Sequence, residues 1–201
     1  MLRRARRLKD DPKKPLIAGV QRSLPFRFRR RRLNWWAEVP ETTIAINLCA
    51  RFRPRYHIEL GAQPNAFVNP FYGFVPHDIS TYGARERGDR LVPVGTDLGC
   101  FDLDIPMDPA EREDRVAAVI ALLVPYVLEW STLDGLRRLA ADPVRAYCVH
   151  DALTEWLGVP LRELPPGSRT LAREGPPAAP PELLPGQYRI GEVIVRPYQR
   201  R

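Results

Sequence analysis

Cysteine is scarce. Cys49, Cys100 and Cys148 are the only three in 201 residues, they lie far apart, and no C-x-x-C pair occurs. That excludes a disulfide-stapled scaffold, a zinc knuckle and a thioredoxin-type motif, and it points to reduced, buried thiols in a cytoplasmic protein. Long apolar runs are missing as well. The longest stretch, Val116 to Leu128, is too short to span a bilayer and contains Pro125. The basic start is not followed by an apolar segment, so a secretory signal is not expected. No repeat period is visible, which excludes solenoids and propellers. The G-x-S-x-G, H-E-x-x-H and G-x-G-x-x-G motifs are all absent. Gly83 and Gly88 have the spacing of a phosphate loop but lack the Lys-Ser/Thr that would hold phosphate and metal. No cofactor is therefore expected. What the chain does have is an ordinary folded composition, 44% hydrophobic and 27% charged, and it is long enough to bury a core without staples.

The net charge of +7 is unevenly spread. Residues 1–32 hold 13 Lys/Arg against 2 Asp/Glu, or +11, and the remainder holds 18 against 22, or −4. A basic end on a mildly acidic body favours contact with phosphate, nucleic acid or an acidic protein surface. Arg27, Arg29 and Arg31 alternate with Phe26 and Phe28. That alternation also fits an ordinary strand with arginines in solvent and phenylalanines inward. On this reading the arginines serve the body's own acids, among them Asp102, Asp104 and the Glu111–Asp114 cluster.

Patterning divides the chain into halves. Leu16, Val20 and Leu24 recur at helical spacing. Residues 26–39 read as one or two strands. Ile44, Ile46, Leu48 and Phe52 alternate with Thr43, Asn47 and Arg51; after Pro54, Tyr56, Ile58 and Leu60 alternate with His57 and Glu59. Two such runs around a turn predict an antiparallel hairpin. Residues 61–99 read as irregular, and Phe101, Leu103 and Ile105 alternate with Asp102 and Asp104 as a further strand would. Asp108-Pro109-Ala110-Glu111 is a helix start with a capping box, and the helix should run to Trp130, buried nearly all round from Val116, with Pro125 kinking or dividing it. Ser131 to Asp134 opens a second helix, and Asp142-Pro143 a third that ends at Gly158. Residues 160–185 carry eight prolines, and residues 187–197 read as a lone strand needing a partner.

The fold expectation is α+β: an antiparallel sheet from the N-terminal half packed against C-terminal helices. Residues 1–158 would form one domain with a basic N-terminal arm, 159–186 a Pro-rich linker, and 187–201 a C-terminal strand and tail. The order of a short helix, the strand Pro25-Phe-Arg-Phe-Arg-Arg-Arg-Arg32, Trp35-Trp36, the 44–60 hairpin and the helices ending Ser131-Thr-Leu-Asp-Gly-Leu-Arg-Arg-Leu139 resembles a family of small bacterial domains of unknown function. The resemblance covers about residues 14–140. It implies an α+β fold and brings no catalytic residues.

Three functional readings follow. The first is a non-enzymatic protein-interaction or accessory module of the immunity type, docking another protein, or a second copy of itself, at an exposed strand edge. The second is nucleic-acid binding through Arg27, Arg29, Arg30, Arg31 and Arg32, with Phe26, Phe28, Trp35 and Trp36 as stacking groups. The third is an enzyme built on His77-Asp78 and the Asp102–Asp104 strand. His57 and Glu59 share one strand face and could contribute to a metal site, but two donors are too few. Cys148 and His150 are two apart on a predicted helix and so face different ways.

Overall fold

The computed structural model describes residues 11–52, 54–70, 73–161, 188–190 and 193–195. The chain divides into two compact units, 1–161 and 162–201. The first unit is an α+β fold whose sheet is antiparallel throughout, with five strands in the order β1-β2-β3-β4-β5. These are β1 Arg29–Arg31, β2 Asn34–Glu38, β3 Thr42–Phe52, β4 Arg55–Pro64 and β5 Ala84–Arg87. The predicted 44–60 hairpin is the centre of this sheet. Its inward residues Ile44, Ile46, Leu48, Tyr56, Ile58 and Leu60 are all buried.

Helix α1 (Lys14–Ser23) begins with Pro15 in its first turn and buries Leu16 and Val20. It lies against helix α3 (Pro109–Trp130). Ser23 Oγ donates to the Ala117 carbonyl at 2.9 Å, and Arg22 pairs with Asp114 at 2.7 Å. The helices meet at Gly19, where a Cβ would stand 2.6 Å from the Glu113 carbonyl oxygen and 2.7 Å from Val116 Cβ. Only glycine allows this approach.

Asp108 caps α3, its carboxylate accepting from Ala110 N at 2.8 Å and Glu111 N at 3.2 Å. Glu111 does not return the bond as a capping box would; it pairs with Arg115, one turn on. The helix buries Val116, Ile120, Leu123, Val127 and Trp130 against the sheet's inner face. It is not buried all round, since Leu122 and Leu128 are exposed. Pro125 neither divides nor ends it. Pro125 and Ala121, the residue whose carbonyl the proline deprives of a donor, are both exposed, on the side of the helix away from the core.

Helix α4 (Leu133–Ala141) starts at Thr132, whose hydroxyl accepts from Gly135 N at 3.0 Å. Glu41, in the β2–β3 turn, accepts from Leu133 N at 2.8 Å and so ties the sheet to this helix start. The third predicted helix is broken in two. Asp142 accepts from Val144 N and Arg145 N, a 3₁₀ turn follows at Ala146–Cys148, and α5 begins only at Asp151, running to Trp156. Between them the backbone is drawn out to bridge β5, Val149 pairing with Ala84 and His150 N donating to the Gly83 carbonyl at 2.8 Å. Tertiary pairing thus overrides local helical periodicity. Gly158 follows α5 with φ +72°, as the expected stop.

Three further expectations are corrected. Residues 61–99 are less irregular than composition suggested: β4 continues to Pro64, β5 completes the sheet, and the short helix α2 (Gly88–Leu91) follows it. The 101–105 alternation is not a strand. It forms a 3₁₀ turn at Gly99–Phe101 and a single bridge, Asp102 to Arg55. The cause is Arg112, which is buried with its guanidinium donating to the carbonyls of Cys100, Asp102 and Ile105. One planar fork spends its donors on three loop carbonyls and coils the segment around itself. In the second unit, the expected lone strand is two short strands, β6 (Tyr188–Ile190) and β7 (Val193–Val195), paired with each other.

Among the described residues no single helix is long and apolar enough to cross a membrane, and α3 and α4, which reach that length together, are bent by 102°.

Leu123 is fully buried, so Leu123→Ala should lower unfolding free energy by about 2–5 kcal/mol in urea titration. Gly19→Ala should cost about 1–3 kcal/mol, because the added methyl meets backbone that cannot turn aside. Changes within about 0.5 kcal/mol at both positions would contradict the packing of α1 and Leu123 on the core.

Candidate functional site

The inner face of the sheet is committed to the core, so chemistry is left to the outer face and the edges. Register aligns Arg31, Asn34, Asn47, Glu59 and Arg87 in one row across all five strands. Arg29, Trp36, Ala45, Gly61 and Arg85 form the next row. The loop between β4 and β5 folds back over this second row, where Ile79 and Tyr82 close on Ala45 and Gly61. Phe74 meets Tyr82 edge to face at 5.0 Å.

That loop delivers His77 to the basic strand. Arg31 approaches His77 Nε2 at 2.5 Å, and the imidazole tilts against Trp36 at 5.8 Å. A guanidinium only donates, so in this contact Nε2 is the accepting atom. A cavity of about 330 Å³ opens here, lined by Arg31, Arg32, Asn34, Asn47, His77 and Asp78. Asp78 is occupied structurally: its carboxylate accepts from Ser80 N at 3.1 Å and Ser80 Oγ at 2.6 Å, capping the 3₁₀ turn Ile79–Thr81.

His57 and Glu59 lie on the same outer face, His57 Nε2 standing 3.4 Å from Glu59 Oε1. Register sets Cys49 directly opposite His57. The thiol, the imidazole and the carboxylate, all half-buried, have donor atoms within 4.8 Å of one another. Arg87 neighbours Glu59 in register but turns its guanidinium to Asp89, at 2.9 and 2.5 Å.

A third cluster sits at the β5 edge. Glu86 is only 6% exposed. Its carboxylate accepts from the Cys148 thiol at 2.6 Å and from Arg87 N at 2.6 Å, with Arg90 at 3.5 Å. Burial raises its pKa, but the bonds from Cys148, Tyr147 and Arg87 N, with the charge of Arg90, outweigh burial and hold it below the ordinary value. Burial and the Glu86 acceptor push the Cys148 thiol up to about 12, so it is a hydrogen-bond donor and not a nucleophile. His150 is engaged at the start of α5, its Nδ1 accepting from Ala152 N at 3.2 Å. Cys100 is likewise pushed up, to about 11, chiefly by burial.

The expected site residues therefore separate. His77 joins Arg31 and Arg32; His57 and Glu59 form another cluster with Cys49, which single-strand spacing could not reveal. Trp35 is wrongly placed by the sequence reading: its indole is fully buried in the core, so it cannot touch a partner or a base. Phe26 and Phe28 stack on each other at 6.2 Å and are half-buried against the core, and Trp36 is half-buried under His77. The Asp102–Asp104 pair loses its strand; Asp102 Oδ1 instead accepts from Asp104 N.

The arginines also depart from expectation. Among the described residues, Arg27, Arg29, Arg30, Arg31 and Arg32 form no ion pair. Arg22 takes Glu113 and Asp114, and Arg115 takes Glu111 and Asp97. The Glu111–Asp114 cluster is thus served by Arg22 and Arg115. No family model, curated protein or solved structure matches the chain.

Glu86 tests the third cluster. A carboxyl depressed on folding contributes stability above its unfolded pKa and loses it as pH falls through the folded value. Stability should therefore fall less steeply below about pH 4.3 in Glu86→Gln than in the parent chain. Thermal midpoints compared at pH 7 and below pH 4 measure this, and identical slopes would show that Glu86 is not held low.

Proposed function

We propose that the protein is an interaction module, not an enzyme, and that it receives an acidic segment of another protein along the edge strand β1. The observation that carries this reading is a basic edge that forms no ion pair among the described residues. All three β1 residues are exposed arginines, and among the described residues the sheet ends there. An exposed edge offers backbone donors and acceptors to an incoming strand, and the guanidiniums select its charge. A second copy of the chain would set arginine against arginine at the same edge, which like-charge repulsion disfavours. The likeness to small bacterial domains of unknown function belongs to the same proposal.

Arg32 adds support. It holds φ +57° in the β1–β2 turn, a conformation that costs a non-glycine residue about 1–2 kcal/mol. Glycine or asparagine would relax the turn. An arginine with no ion pair among the described residues makes sense if its side chain is used outside the chain. Nucleic acid would meet the same charges, but Trp35 is removed from the surface and Phe26, Phe28 and Trp36 are engaged in packing. Phosphate contact remains, without a stacking platform.

The test is fluorescence anisotropy of a labelled alternating Glu/Val peptide and of random duplex DNA at two salt concentrations. Peptide binding that is lost in the Arg29→Gln/Arg31→Gln double variant supports the reading. Arg32→Gly should weaken peptide binding and leave stability equal or raised by up to about 1 kcal/mol. Salt-sensitive DNA binding, with a log–log slope near −0.9 per phosphate, would replace this reading with nucleic-acid binding; no binding of either probe would overturn it.

A further inference from the structure

We infer that Cys49, His57 and Glu59 form a three-donor site for a zinc ion on the outer face of the β3–β4 hairpin. The site is separate from the basic edge and does not depend on the interaction reading.

The geometry comes from the backbone. Cys49 and His57 are direct cross-strand partners, and Glu59 follows His57 by two residues on the same face. Their donor atoms all lie within 4.8 Å of one another. The His57–Glu59 separation, 3.4 Å, already matches two ligands of one tetrahedral zinc, whose bonds of 2.0–2.3 Å place donors about 3.3–3.6 Å apart. The remaining pairs, within 4.8 Å, have at most about 1.5 Å to close to reach that spacing. The three are carried on the longest strands of the sheet, so their backbones are fixed before metal arrives.

The donor set chooses the metal. A thiolate, an imidazole and a carboxylate suit zinc, whereas calcium and magnesium require oxygen ligands throughout. Cys49 is a thiol, not half of a disulfide. Arg87, the cation closest in register to Glu59, is turned away to Asp89. Three protein donors leave a fourth position open. Zinc commonly fills such a position with a water molecule.

The experiment uses the full chain without an affinity tag. Zinc competition against a chromophoric chelator should give one ion per chain with Kd at or below about 1 μM, a standard free energy near −8.2 kcal/mol. Cys49→Ala and His57→Ala should each weaken binding by more than 10–100-fold, the range produced even by outer-shell changes. Cys148→Ala should leave it unchanged. Two readouts need no variant. Cobalt should give the near-ultraviolet charge-transfer band of a thiolate ligand. Zinc should also protect Cys49 from alkylation, and Cys49 is the one thiol of the three that is not buried. No zinc binding at 100 μM, a cobalt complex without the thiolate band, or zinc binding undiminished by Cys49→Ala would overturn the assignment.

Discussion

The register of the β3–β4 hairpin is the constraint on which the rest depends. A strand's side chains alternate with period two, so committing Ile44, Ile46, Leu48, Ile58 and Leu60 to the core fixes every outward residue as well. A slip of one residue would bury His57 and Glu59 and expose the isoleucines. Large apolar burial therefore enforces the polar arrangement on the opposite face, although the polar residues contribute little to the enforcement. Cys49 meets His57, and Asn47 meets Glu59, because the inner face leaves no other pairing.

Electrostatics divide along the same lines. Several carboxylates are engaged on backbone donors: Asp108 on the first turn of α3, Asp78 on a 3₁₀ turn, Asp142 on the segment after α4 and, from the distant β2–β3 turn, Glu41 at the start of α4. Each satisfies backbone donors that a helix or turn end would otherwise leave unpaired. Asp97, Glu111, Glu113 and Asp114 take arginines from α1 and α3. With those acids engaged, the arginines of β1 have no carboxylate partner among the described residues and remain exposed.

Buried polar groups mark where packing overrode local preference. Arg112 reshapes residues 99–105 by collecting three carbonyls, so an alternation that reads as a strand becomes a coil around a guanidinium. Glu86 faces inward from an edge strand and is retained because Cys148, Tyr147 and Arg90 converge on it. The Val149–Ala84 bridge breaks the helix expected over 142–157. In each case a long-range partner supplied more than the local pattern could.

The sequence by itself determined the α+β class, the central hairpin and its inner face, and the starts of α3 and α4. These follow from short-range physics: period-two burial, an Asp-Pro cap and a threonine cap act within a few residues. It also showed the concentration of arginines and named His57, Glu59 and His77 as candidates. Only the tertiary structure decided that Trp35 is core, that His77 meets Arg31, and that Cys49 joins His57 and Glu59. Alternation says that a side chain points to one face or the other; it does not say what covers that face or which strand lies beside it. Those depend on register and loop return, which are set by the burial of the whole core at once.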